Sequence, residues 1–151
     1  MSELPVYRKL LWIVLLAFAL RVAVRWYSGA EEFWRGGYTF YFALAQNIAS
    51  GNGIALVEGH PTTLRVPLYP LFLAAVTLGH KVFPPVLLAQ SLIGAGTVLC
   101  AALIAGETFG SAVVLPAAAI TAIYPYYVVH DTALQETSLF TFLTASGYSC
   151  C

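Results

Sequence analysis

The sequence predicts an all-α, multi-pass membrane protein with about three transmembrane spans, the start of a fourth, and amphipathic juxtamembrane helices after the first span. Three observations predict it. Only 9% of the 151 residues are charged while 60% are hydrophobic, against roughly 25% charged in a soluble domain. Residues 82–106 and 108–130 contain no Asp, Glu, Lys or Arg, and neither do residues 10–20. About 20 apolar helical residues cross a hydrocarbon core of roughly 30 Å, and a backbone in lipid must satisfy its own hydrogen bonds, which makes such runs helices. The same composition excludes an ordinary soluble enzyme and a disordered tail. A net charge of +0 leaves no basic field for nucleic acid. Cys100, Cys150 and Cys151 are an odd set without metal-ligand spacing.

The first span covers residues 10–27. Arg8-Lys9 before an apolar core resembles a signal peptide, but no small-x-small cleavage site follows. Arg21 and Arg25 fall there instead, four residues apart on one face. Either both snorkel to the interface, or one of them meets an anionic headgroup or substrate. Residues 28–83 form a loop rich in polar chemistry. Glu31 to Gly37 reads as a polar, glycine-containing loop. Tyr38 to Ser50 reads as a short amphipathic helix with Gly51 as its stop, suited by its aromatics to a membrane surface. A loop follows to Arg65. Leu68 to Phe83, opened by Pro67, reads as an interfacial or re-entrant helix.

The second span covers 85–106, with Pro84-Pro85 in its first turn. The third covers 112–129. Ser111 is its expected N-cap, and Pro116 and Pro125 are expected to kink it. A fourth helix is predicted to begin at 132, where Thr132-Ala133-Leu134-Gln135 has the form of a capping box, and to stop at Gly147. The tail from Ser146 breaks the apolar pattern and reads as a truncation or a shifted frame. If helix 68–83 does not cross, Glu31 and Glu32 lie on the same side as Asp131 and Glu136. Arg8 and Lys9 favour a cytoplasmic N-terminus, which makes the acidic loop extracytoplasmic in the cell membrane, whereas Arg35, Arg65 and Lys81, which would then lie outside, count against that orientation.

Four segments resemble one family. Tyr41 to Ile54 looks like the tyrosine, alanine-asparagine, glycine-x-glycine stretch of polyprenyl-phosphate-sugar-dependent glycosyltransferases of the family 39 and arabinose-lipid A transferase type, which have the GT-C membrane fold. Pro61-Thr62-Thr63-Leu64-Arg65-Val66-Pro67-Leu68-Tyr69-Pro70 resembles the family's arginine-x-proline-x-tyrosine-proline segment. Ala122-Ile123-Tyr124-Pro125-Tyr126 resembles the aromatic-proline end of its third span, and Glu136-Thr137 the glutamate-threonine that opens its fourth. The resemblance covers most of residues 8–145 and implies the N-terminal portion of a longer enzyme, inactive alone. It also departs from the pattern. The family places an aspartate a few residues before the tyrosine matching Tyr41, whereas Arg35 to Phe40 holds no acid.

The resemblance implies transfer of a sugar from a polyprenyl-phosphate donor to a lipid, glycan or protein acceptor at the extracytoplasmic face. The acceptor hydroxyl then needs a general base, and Glu32 and Glu31 are the nearest carboxylates. Their alternative is to be solvated loop acids. Arg65 is a candidate for the donor phosphate, or an interfacial anchor. Tyr69, Asp131 and Glu136 are the other candidate substrate-binding residues. A helix start explains the two acids without function, and interfacial placement explains the tyrosine. His130 beside Asp131 is not enough for a metal site, so no metal ligands are assigned and a divalent cation is left open. The bilayer and the lipid-linked donor are the expected partners, with no nucleic acid. Two other readings compete: a transporter fragment, which predicts a polar stripe at mid-membrane, and a non-catalytic membrane scaffold.

Overall fold

The computed structural model describes residues 4–35, 39–57, 60–62 and 66–149. Among them run α1 (Leu4–Arg35), α2 (Phe40–Ala49), a two-stranded antiparallel hairpin of β1 (Ala55–Val57) and β2 (His60–Pro61), α3 (Leu68–Thr77), α4 (Phe83–Phe109), α5 (Val114–Ile123), α6 (Pro125–Asp131) and α7 (Thr137–Ser149). The fold is therefore helical, with the hairpin as an addition that its short Ala55-Leu56-Val57 run did not announce. α1 and α4 are long and apolar enough to cross a membrane, and α5 with α6 makes a third candidate span bent by 55°.

Two apolar clusters fix the direction of the helices. Leu10 and Ala17 of α1 pack with Val98 and Ala102 of α4 and with Ala118 and Ala122 of α5. At the other end Phe33 and Trp34 of α1 meet Tyr41 of α2, Tyr69 of α3, Val86 of α4 and Leu139 of α7. The start of α4 thus lies beside the end of α1, so the two run antiparallel. The end that gathers α2, α3 and the start of α7 also carries Glu31, Glu32, Asp131 and Glu136. Phe33 and Leu134, which flank the two acidic stretches, share one cluster.

Several boundaries differ from the sequence reading, each for a physical reason. Glu31 to Arg35 is helical rather than a loop, because the chain breaks at Gly29 (φ 82°, ψ 161°) and then resumes. A backbone at that φ favours glycine. The turn after the break buries Phe33 and Trp34, with ring centroids 4.9 Å apart. α3 stops at Thr77, short of Phe83, where Leu78 turns left-handed (φ 51°). A Cβ on Gly79 would lie 2.9 Å from the Ala49 side chain, so the end of α3 abuts α2.

In the third span Pro116 does not kink anything. It lies in the first turn of α5, where its missing N–H is an orphan in any case. Pro125 does break the span, with Tyr124 extended at ψ 117°. Ser111 opens a single 3₁₀ turn and makes no side-chain cap. The capping box at Thr132 is also absent. Thr132 closes α6, its hydroxyl donating back to the carbonyl oxygens of Val128 (2.9 Å) and Val129 (3.1 Å). Residues 133–136 are bends, α7 begins at Thr137, and it continues through Gly147 to Ser149.

Candidate functional site

The site is a buried polar layer at the acidic end of the bundle. Its centre is Tyr69, 1% exposed on the first turn of α3. The α2 helix supplies Tyr41, whose ring stands edge-on to that of Tyr69 at 5.0 Å. The α4 helix supplies Gln90, whose Nε2 donates to the Tyr69 hydroxyl (3.3 Å) and to the Ala133 carbonyl (3.0 Å). The Tyr69 hydroxyl is also hydrogen-bonded to the backbone of Gln135 and feels the charge of Glu136. Burial above all, then the Glu136 carboxylate, pushes the Tyr69 phenol well above the usual tyrosine range, against the opposing hydrogen bonds.

Tyr69 thereby ties three stretches together: residues 41, 69 and 133–136. The sign of its pH effect follows. The unfolded chain ionises this phenol near pH ~10, the folded chain only above it, so the folded state holds the proton more tightly. The stability this contributes is fully present below pH ~10 and is lost progressively above it. Tyr69→Phe is expected to flatten the alkaline loss of stability and to cost about 1 kcal/mol at neutral pH, the worth of one hydrogen bond. Unfolding of the two proteins followed by circular dichroism from pH 7 to 11 checks this; identical alkaline profiles would exclude it.

One turn deeper along α4, Gly94 opens the space for an ion pair. Arg21 Nε donates to Asp131 Oδ2 at 2.6 Å, with the two side chains 0% and 4% exposed. Arg21 Nη1 donates to the carbonyls of Ala17 (3.0 Å) and Ala122 (3.3 Å). The second of these matters for the fold. The break before Pro125 strips carbonyls of their helical donors, and lipid offers none. Arg21 supplies one. Arg25, one turn on, donates from Nη1 to the Thr132 carbonyl and from Nη2 to the Gly29 carbonyl, each at 3.1 Å. Its guanidinium lies 5.7 Å from the centre of the Phe33 ring. Arg25 thus spans the break in α1 and the end of α6. Both arginines are buried, so snorkelling is corrected: Asp131 and backbone carbonyls hold them inside the bundle.

The other candidates from the sequence are placed as follows. Glu31 and Glu32 are exposed on the turn after Gly29, and Glu31 pairs with Arg35 at 3.3 Å in solvent. Asp131 is the buried partner of Arg21. Glu136 is half-buried in the bend before α7. Arg65 lies outside the described residues. The His130 ring lies against that of Tyr126, with centroids 4.0 Å apart and planes tilted by 51°, and its Nδ1 meets Gln135 Nε2. Among the described residues no three His, Cys, Asp or Glu side chains gather in a metal-holding group. The sequence gives no reason to single out Gln90 or Gly94, and it points to Arg21 and Arg25 only as snorkelling residues or contacts to an anionic headgroup or substrate, not as partners of Asp131 and of buried carbonyls. A signal existed for Arg21: an arginine inside an apolar run calls for a buried acid or carbonyl partner, and Asp131 closes the longest uncharged stretch but one.

No family model, curated protein or solved structure matches the chain.

Proposed function

We propose that the chain is part of an integral membrane glycosyltransferase that takes a sugar from a polyprenyl-phosphate donor. The observation that carries this reading is convergence. Three segments that resemble the family one by one, around Tyr41, Tyr69 and Glu136, are separated by up to 95 residues in sequence yet meet at the Tyr69 ring and hydroxyl. The fourth, Ala122 to Tyr126, is the break that aims α6 at Arg21. In the proposed reaction Glu32, exposed at the same end, removes the proton from the acceptor hydroxyl. The acceptor oxygen bonds to the anomeric carbon as the carbon–phosphate oxygen bond breaks, and polyprenyl phosphate leaves. A single in-line displacement inverts the anomeric centre. Arg65, Tyr69, Asp131 and Glu136 remain the proposed binding residues, Asp131 acting through Arg21.

The test uses the complete protein bearing this sequence in its own membrane, with a radiolabelled polyprenyl-phosphate sugar. Glu32→Gln is expected to lower transfer by about 10²–10⁴-fold, the usual contribution of a general base, with the protein level unchanged. Full activity of Glu32→Gln with loss in Glu31→Gln would move the base by one residue. Full activity of both would remove these acids from the reaction. A non-catalytic assembly module is the second reading, favoured by the solvent exposure of Glu31 and its pairing with Arg35. It expects no transfer from either form.

A further inference from the structure

Glu107 is the only Asp, Glu, Lys or Arg between residues 82 and 130. It lies in the last turn of α4, which carries no basic residue, at the end of the bundle away from Tyr69. A helix C-terminus presents carbonyls without helical donors and the negative end of the helix dipole. A carboxylate in that place is unfavourable until a cation joins it. Among the described residues the Glu107 side chain enters no ion pair and no hydrogen bond, so the end of α4 carries an uncompensated negative charge.

Glu107 also has a cavity beside it. Tyr7 and Leu10 of α1, Leu103 and Glu107 of α4, and Ser111 and Val114 beyond it line a space of about 350 Å³. Arg8 and Lys9 are exposed. At about 100° per residue they lie about 100° or more round the helix from the face that Tyr7 and Leu10 turn to this space, which leaves it to a cation from outside. The polar side chains of the cavity carry only oxygens, one carboxylate and two hydroxyls. Leu10, Leu103 and Val114 give it apolar walls, which suit a cation attached to carbon better than a hydrated metal ion. Among the described residues no three metal-ligating side chains gather. A primary ammonium brings three N–H donors to such oxygens. A quaternary ammonium brings none and is held by a cage of rings, and this cavity has one ring, Tyr7. The cavity lies where α1 begins and α4 ends, the two helices long and apolar enough to cross a membrane. Phe109, two residues on from Glu107, is 76% exposed, as expected of an aromatic at a membrane boundary. Amines at that level belong to lipid headgroups.

We propose that this cavity binds the primary ammonium of a phosphatidylethanolamine headgroup. Glu107 supplies the counter-charge, Ser111 accepts a further hydrogen bond, and the Tyr7 ring closes the side. A bound ammonium offsets the carboxylate and the helix end together. The proposal does not rest on the transferase reading, since no residue of the Tyr69 layer takes part.

The test is lipid retention by the purified protein in non-ionic detergent, read by native mass spectrometry. Phosphatidylethanolamine, phosphatidylcholine and phosphatidylglycerol with identical acyl chains are compared. Phosphatidylethanolamine is expected to bind about tenfold more tightly than either of the others, the worth of one charge-assisted hydrogen bond. Glu107→Gln is expected to hold all three about equally. Phosphatidylcholine retained as tightly as phosphatidylethanolamine, or an unchanged preference in Glu107→Gln, would overturn the site. Displacement by an equal amount of soluble phosphoethanolamine would overturn the lipid as its occupant. The lipid comparison uses the unaltered protein, so it decides the matter even where Glu107→Gln does not fold.

Discussion

Asp131→Ala is expected to destabilise the fold by about 3–5 kcal/mol, because it leaves Arg21 as an uncompensated buried cation. The pair has Nε and Oδ2 2.6 Å apart and is almost wholly shielded, so water cannot restore the lost charge. The double variant Arg21→Met with Asp131→Leu separates charge from packing. Replacing a buried ion pair by apolar side chains of similar size is often neutral or better. Here the recovery is expected to stop short by about 1–3 kcal/mol, the cost of a buried carbonyl left without a donor, because Arg21 also serves Ala122 at the break. Sodium dodecyl sulfate titration of the purified proteins, followed by circular dichroism, measures all three. An Asp131→Ala protein as stable as the parent would show that the pair does not hold the third span.

Gly94→Ala carries the second large effect. A Cβ at this position would stand 2.5 Å from Arg21 Nε and closer still to the Asp131 carboxylate. Neither group is a free end that can swing away, since both are buried and hydrogen-bonded. Overpacking of this kind costs about 1–3 kcal/mol by itself, and displacing the pair adds part of the cost of breaking it. Gly147→Ala is the control. Its site in α7 has nothing within 4 Å of the added Cβ, and alanine in a helix gains about 0.5–1 kcal/mol over glycine. The two substitutions are therefore expected to move stability in opposite directions in the same titration. A loss at both positions of equal size would point to a general intolerance of substitution rather than to the crowding at Gly94.

Parts of this protein are legible from its sequence and others are not. The long runs free of charge gave α1 and α4 directly, since a lipid-facing helix needs only length and apolarity. Pro125 was read correctly as a break because a missing N–H acts wherever a helix interior contains it. Pro116 and the Thr132 capping box mislead in the sequence because their effect depends on register within a helix turn. A proline in the first turn costs nothing, and a threonine at the end of α6 bonds backward instead of forward. The turn at Glu31 to Arg35 reads as a loop in the sequence because its polar face dominates the local pattern. Its helicity is secured by Phe33 and Trp34, which bury against residues from four other helices.

The candidate site divides in the same way. Glu31, Glu32, Tyr69, Asp131 and Glu136 were visible as chemically capable residues flanking apolar spans. Which of them work together was not. The sequence alone determined that this is a helical chain with long apolar helices and a break at Pro125, because those properties follow from local composition and backbone chemistry. The tertiary structure decided that Arg21 reaches Asp131 across 110 residues, that Gly94 must lack a side chain, and that Tyr69 closes over the bend before α7. Those outcomes depend on which helix faces meet, and a buried charge or a missing Cβ acquires its meaning only from the atoms packed against it.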